Sequence, residues 1–338
     1  MRFFLVSLAL FAATTALADP VRVIFDTDMG NDVDDAIALA ELHALETRGE
    51  AKILAVTITK DNRWAPVFVD LMNTFYGRPD IPIGMVKHGA TPDDGHYTKE
   101  VVSEPFYPHR VTTETELPDA VLVLRKILDA QPDGSVTIVQ VGFSTNLARL
   151  LASGPDKSSP LSGLELARRK VRLLAMMAGE FRAGRGPEYN IVNDIPAAQK
   201  LFREWPGQLV TSAFDIGDGI RYHAGNIDTD FSYVAHHPLV DAYRAYLPQI
   251  HENAGSADEP LWDPTAALYA VRPDRGYFST SAPGKISVDE KGITTFTPQP
   301  GGNERYLIVD DAQRARIREA ISLLMSAPPT SVVSSPPR

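Results

Sequence analysis

The chain has 338 residues, no cysteine, and a formal net charge of −10 from 33 basic and 43 acidic side chains. Without cysteine there is no disulfide framework and no thiol catalysis, so stability must come from a packed core, for which about 320 residues suffice. The acidic balance argues against nucleic acid or an anionic membrane as main partner, but leaves room for a nucleoside, which carries no phosphate.

In chain order, Met1-Arg2 precedes an apolar run, Phe3 to Ala13, and Ala16-Leu17-Ala18 has the small-x-small pattern of a cleavage site. Residues 1–18 are therefore expected to be a signal peptide and the protein to be periplasmic or secreted; the apolar run is too short for a bilayer span. From Asp19 onward, short β-rich runs alternate with amphipathic stretches, which predicts βα units. Strands are expected at Val21–Asp26, Lys52–Thr59, Ser135–Val141, Val171–Met177 and Gln208–Ser212. Helices are expected at Asp34–Thr47, Ala65–Tyr76, Pro118–Ala130, Thr145–Ala152, Ile195–Glu204 and Pro264–Val271. The implied fold is α/β, a single domain over residues 19–325 built on an open, mostly parallel β-sheet with flanking helices. Gly89 to Pro118, polar and aromatic, reads as a lid or insertion. Ile286–Phe296 reads as a hairpin, and the Pro/Ser-rich residues 326–338 as a disordered tail.

The densest chemistry lies in Val23-Ile24-Phe25-Asp26-Thr27-Asp28-Met29-Gly30-Asn31-Asp32-Val33-Asp34-Asp35-Ala36. Five aspartates stand between an apolar strand and an apolar helix. Two carboxylates about 4 Å apart repel by roughly 4 kcal/mol at the effective dielectric near a protein surface. Such a loop needs a cation, shared protons or the positive end of a helix dipole. Oxygen-only donors favour calcium or magnesium over zinc. An EF-hand is excluded, because counting from Asp26 the required Gly and Glu positions hold Asn31 and Ile37. A phosphatase of the haloacid dehalogenase type would use Asp26 as nucleophile and Asp215-Ile216-Gly217-Asp218-Gly219 as a later acidic motif. Met29-Gly30-Asn31 stands where that reading requires Gly-Thr or Gly-Val.

The segment Asp26-x-Asp28-x-Gly30, closing on Asp34-Asp35-Ala36-x-Ala38-Leu39, resembles the signature of inosine–uridine-preferring nucleoside hydrolases, Asp-x-Asp-Pro-Gly-x-Asp-Asp-Ala. Met29 replaces the proline, and two extra residues precede the Asp-Asp pair. Four further segments resemble the family in order: Ala55-Val56-Thr57 through Asn62, Val139 through Asn146, Glu188-Tyr189-Asn190-Ile191, and Trp262-Asp263-Pro264. Together they cover roughly residues 21–272.

The resemblance implies calcium-dependent hydrolysis of the N-glycosidic bond of ribonucleosides. It places calcium (Ca2+) on Asp28, Asp35, Asp263 and the Val141 carbonyl, with Asp28 as general base on the attacking water. Asp34, Asn62, Glu188 and Asn190 would hold the ribose hydroxyls, Asp34 being preferred to Asp32 for its adjacency to Asp35-Ala36. Trp262 stands where many pyrimidine-accepting members carry histidine, so a purine preference is expected, with the indole stacked on the base. Relatives are commonly dimers or tetramers, so a homo-oligomer is compatible. Plainer roles stand beside these: Trp262 as a core tryptophan, Asn62 as a turn or cap residue, and Glu188 and Asn190 as surface loop residues. Asp26 is expected to orient the metal ligands, His236-His237 to lie at the surface, and His96 and Tyr97 to be the lid residues able to reach the base. A periplasmic nucleoside- or ribosyl-binding protein without catalysis is the rival from another class.

Overall fold

The computed structural model describes residues 19–254 and 257–330. Its strands are β1 Val21–Thr27, β2 Ala51–Lys60, β3 Ile83–Ala90, β4 Val136–Gln140, β5 Val171–Met177, β6 Leu209–Ser212, β7 Arg221–Tyr222, β8 Glu259–Pro260, β9 Ser279–Thr280, β10 Gly284–Val288, β11 Thr294–Pro298 and β12 Glu304–Ile308. The α-helices are α1 Asp34–Thr47, α2 Ala65–Phe75, α3 Thr98–Val102, α4 Ala120–Asp129, α5 Thr145–Ala152, α6 Gly163–Lys170, α7 Tyr189–Val192, α8 Ile195–Glu204, α9 Phe214–Asp218, α10 Ile227–Asp230, α11 Pro238–Ala254, α12 Trp262–Val271 and α13 Asp311–Met325.

The main sheet runs in the order β11-β10-β12-β6-β5-β4-β1-β2-β3, with β9 against β12. From β12 to β3 every pairing is parallel; the β10–β11 hairpin adds an antiparallel edge. Parallel strands covered on both faces need apolar side chains on both sides. Val23, Ile24 and Phe25 are buried in succession. One face packs against α1, α2, α11, α12 and α13; the other packs against α4, α5, α6 and α8. The result is the single-domain α/β layer structure expected from the alternating pattern.

The expected strands and helices fall within one or two residues of those observed. The expectation did not include β3, β12, α6, α11 and α13, nor the short elements β7, β8, β9, α3, α7, α9 and α10. The segment Gly89 to Pro118 is a packed insertion rather than an open lid, since Tyr97, Thr98, Val101, Val102 and Tyr107 are buried. Its burial follows from composition: apolar and aromatic side chains at these positions cover α2. Residues 1–18 and 331–338 lie outside the described residues. The first part of the expected tail is packed, with Ala327 against the core and Pro329 buried.

Candidate active site

The parallel strands end, at their carboxyl edge, in the crevice where open α/β sheets bind ligands. Asp28, Asn31, Asp32, Asp34, Asp35, Val141, Met177, Glu188, Tyr189, Asn190, Phe214, Trp262 and Asp263 line one cavity there. Strand β1 leads into the aspartate loop, β4 delivers Val141, β5 delivers Met177, and β6 leads to Phe214. Helices α1 and α12 pack together and begin at this point, so Asp34, Asp35 and Asp263 all stand in first helical turns. The positive ends of two helix dipoles offset part of their repulsion.

Two glycines permit the approach. Gly30 has φ +114°, a conformation L side chains rarely adopt. A Cβ on Gly142 would lie 2.5 Å from the Asp28 backbone nitrogen, so only glycine lets the β4 end press against the aspartate loop.

Carboxylate oxygens of Asp34, Asp35 and Asp263 lie within 4.8 Å of one another, and all three residues are buried. The Asp263 N–H donates to Asp34 Oδ2 at 3.0 Å, and Thr27 Oγ1 donates to Asp35 Oδ1. Asp28 stands beside this triad, its Oδ2 accepting from Asn31 Nδ2 at 2.6 Å. The Val141 carbonyl accepts from Asn190 Nδ2 at 2.8 Å, which leaves its second lone pair. Glu188 caps α7 and accepts from the backbone N–H groups of Asn190, Ile191 and Gly179. Asp32 accepts from the Tyr246 hydroxyl at 2.8 Å.

Burial pushes the Asp28 carboxyl up to about 7, with the charge of Asp32 adding to it. Glu188 is pushed up to about 7 chiefly by burial. Asp34, Asp35 and Asp263 rise well above the usual carboxylate range through burial and mutual repulsion. A hard divalent ion fits this donor set: carboxylate oxygens and a carbonyl, no nitrogen or sulfur, and an excess of negative charge that a cation would relieve.

Most expected site residues therefore meet in one cavity, with three differences. Asn62 does not line it. Its amide donates to the carbonyls of Pro92 and Asp93 at 3.2 and 2.8 Å, and its oxygen accepts from Trp64 N–H at 2.8 Å; it is the plainer turn residue. Asp34 belongs to the triad, where the resemblance implied a ribose contact. Asp26 faces away from the cavity, and its Oδ1 accepts from Thr57 and Asn146 at 2.6 and 2.8 Å. It braces the site through its backbone carbonyl, which takes the Val141 N–H at 2.7 Å. An inward nucleophilic Asp26, as the phosphatase reading required, is thus absent.

Of the lid residues, Tyr97 is buried behind the loop, accepting from Gly30 N–H at 3.1 Å and donating to Met29 sulfur. His96 remains exposed beside Tyr246 and close enough to stabilise the Asp32 carboxylate. His236 is exposed and stacks on Phe106 at 3.9 Å. His237, expected at the surface, is instead buried among Phe75, Phe231 and Tyr233. The sequence reading missed Asn31, Met177, Tyr189 and Phe214 as lining residues. Asn31 was signalled by its place in the lengthened loop, and Tyr189 by its place between Glu188 and Asn190; Phe214 had no local signal.

The family profile for inosine-uridine preferring nucleoside hydrolase matches residues 23–319. The chain belongs to that family, whose members are N-glycosidases, and it is an enzyme of that class. The pyrimidine-specific ribonucleoside hydrolase RihA of Citrobacter koseri is 28% identical over 279 residues, covering 75% of this chain and 80% of the relative. RihA of Salmonella paratyphi C is 28% identical over 299 residues, covering 81% and 86%. The plant nucleoside hydrolase PpNRh1 shares the fold with a TM-score of 0.71 at 22% identity, over 91% of this chain and all of that one. The purine-preferring ribonucleoside hydrolase of Gardnerella vaginalis does so with a TM-score of 0.71 at 18% identity, over 90% and 98%.

Proposed function

We propose that the protein hydrolyses purine ribonucleosides to ribose and free base in a calcium-dependent reaction, after export through the 1–18 segment. The observation that carries this reading is one cavity lined by both acidic and aromatic side chains. Asp28, Asp34, Asp35, Asp263 and Val141 line the same cavity as Trp262, Phe214 and Tyr189. Asp28, Asp35, Asp263 and Val141 would hold calcium, and the geometry adds Asp34 to that set. Bound there, the cation supplies the Lewis acidity that makes water a nucleophile near neutral pH.

The chain's own residues do the rest. Asn31 engages Oδ2 of Asp28, so Oδ1 is the oxygen left to take the proton of the attacking water. Glu188 and Asn190, set at the start of α7, hold ribose hydroxyls. The C1′–O bond forms as the C1′–N bond breaks, and the base leaves with the electron pair. Fixed carboxylates around the ring favour the oxocarbenium-like transition state, and direct attack by water inverts the anomeric carbon.

The purine preference rests on Trp262. Its indole N–H donates to the Phe214 carbonyl at 3.0 Å, and its ring lies 5.2 Å from that of Phe214. The indole thus offers a face rather than a donor, which suits stacking on a wide base. Stacking is worth about 0.5–1.5 kcal/mol beyond area burial. No histidine lines the cavity among the described residues.

The test is product chromatography after incubation with inosine, adenosine, guanosine, uridine and nitrophenyl riboside, with calcium or chelator, and with Asp28→Ala as control. Free base released only with calcium and Asp28, fastest from the purines, supports the proposal. No release from any substrate overturns it, and faster release from uridine overturns the preference. Export is checked by sequencing the N-terminus of the protein recovered outside the inner membrane, where Asp19 is expected first.

A further inference from the structure

The loop between Gly30 and the Asp34-Asp35 pair contains three residues, Asn31, Asp32 and Val33, where the family form has one. Asn31 lines the cavity and donates from Nδ2 to Asp28 Oδ2 at 2.6 Å. Its other amide atom, Oδ1, accepts from Lys60 Nζ at 2.7 Å. Lys60 is the last residue of β2, and its side chain is wholly inaccessible. The ammonium also reaches Asp93 Oδ2, at 3.4 Å.

These bonds leave no freedom in the amide. An ammonium only donates, so Asn31 must turn its oxygen to Lys60 and its NH₂ to Asp28. An asparagine side chain that spins freely would present either end to the carboxylate. The lysine removes that choice. Asn62, whose amide is used on the carbonyls of Pro92 and Asp93, takes no part in this.

We propose that Lys60 and Asn31 are positioning residues for Asp28: the Lys60 ammonium fixes the Asn31 amide, and that amide holds Asp28 Oδ2 so that Oδ1 faces the attacking water. The lengthened loop is what brings Asn31 within reach of both. The proposal rests on the reading of Asp28 as general base.

The experiment compares wild type, Lys60→Met, Asn31→Ala and the double variant. Methionine keeps the stem of Lys60 and removes only its charge. Each protein is assayed with saturating calcium for kcat and KM on nitrophenyl riboside, titrated with calcium chloride by calorimetry, and melted to establish folding. Loss of a group that orients a catalytic ligand typically costs 10–100-fold, so each single variant should lose about 10–100-fold in kcat. KM should stay within about threefold, and the calcium Kd should weaken by much less than kcat falls, because Asp28 is one ligand among several. Because one residue acts through the other, the double variant should be no worse than the poorer single variant by more than about threefold.

Near wild-type kcat in either folded single variant overturns the relay. Losses that multiply in the double variant overturn it too. A calcium Kd that weakens in step with kcat overturns it by showing that Lys60 supports the whole site rather than Asp28. If wild type itself releases no nitrophenol, the hydrolase reading falls, and this inference with it; that outcome is separate from a wild type that turns over beside unaffected variants.

Discussion

Two regions of the molecule bury ionisable groups, and they do so in opposite ways. In the acidic crevice, Asp34, Asp35 and Asp263 face one another with helix dipoles and few donors to offset them. On the same side of the sheet, near α2 and α11, His43 and His237 are buried but satisfied. His43 Nε2 bonds to Asn73 Oδ1 at 2.9 Å and its ring stacks on Tyr76 at 4.7 Å. His237 Nδ1 accepts from Leu239 N–H at 3.2 Å. Burial favours neutral rings in the histidines, whereas in the carboxylates it acts together with mutual repulsion. Burial alone therefore does not mark a functional site; burial of like charges without internal compensation does.

The largest expected effect tests that distinction directly. Asp28→Ala should lower kcat by about 10³-fold, within the range lost when a general base is removed, and leave the melting temperature unchanged or higher. A folded variant with near-normal turnover would remove Asp28 from the chemistry. Asp263→Asn sharpens the point thermodynamically. It should raise the melting temperature measured in chelator, because one repelling charge is gone, and abolish the stabilisation that calcium gives wild type. At a hundredfold excess over Kd that stabilisation is about 2.7 kcal/mol. Equal calcium shifts in both proteins would refute the assignment.

Trp262→Ala comes next. Relative to wild type it should cost purine nucleosides about tenfold more in kcat/KM than nitrophenyl riboside, whose leaving group needs little help. Equal losses on both substrates would make the indole a packing residue like Tyr76.

The two regions should also pull stability in opposite directions with pH. Burial raises Asp26, Asp28 and Glu188 to about 7. In calcium-free buffer the folded protein then holds protons that the unfolded chain has released. Their contribution is fully present below about pH 4 and is lost as pH rises through about 7. Burial lowers His43 and His237 to about 3. Their contribution is present above about 6.5 and is lost as pH falls through about 3. Relative to wild type, the pH dependence of the melting temperature in chelator between pH 4 and 7 should therefore tilt toward acid loss in Asp28→Asn and toward alkaline loss in His237→Gln. Identical slopes in both variants would break the comparison.

The sheet was legible because its central strands are buried on both faces and read as continuous apolar runs, and because α5 and α8 are amphipathic, whereas α1 is buried nearly all round and was legible from its apolar, alanine- and leucine-rich run after Asp34-Asp35. Strand β3 was not, since Ile83-Gly84-Met85-Val86-Lys87-His88-Gly89 mixes charge and glycine; its place is set by pairing with β2 rather than by its own pattern. In the site, residues contributed by motifs next to strand ends were legible, whereas Phe214 reaches the cavity only because β6 ends there. His237 was misread because two adjacent histidines before Pro238 look solvated, and only the surrounding aromatic rings show otherwise.

Asn62 supplies the smallest and most discriminating effect. If it held the ribose, Asn62→Ala would raise KM on every nucleoside by a hundredfold or more. In the structure it ties the turn after β2 to Pro92 and Asp93 and accepts the Trp64 N–H near the start of α2. Both acceptor residues are exposed, so water replaces the lost donor at their carbonyls. The variant should therefore lose about 1–2 kcal/mol of stability, the scale of a lost cap and one or two net hydrogen bonds. KM should move less than tenfold, by slackening of the 92–97 segment against the aspartate loop, to which it is pinned by the His96 N–H on the Gly30 carbonyl at 2.9 Å. A large KM effect with no change in melting would return Asn62 to the substrate and show that this segment swings away when a nucleoside enters.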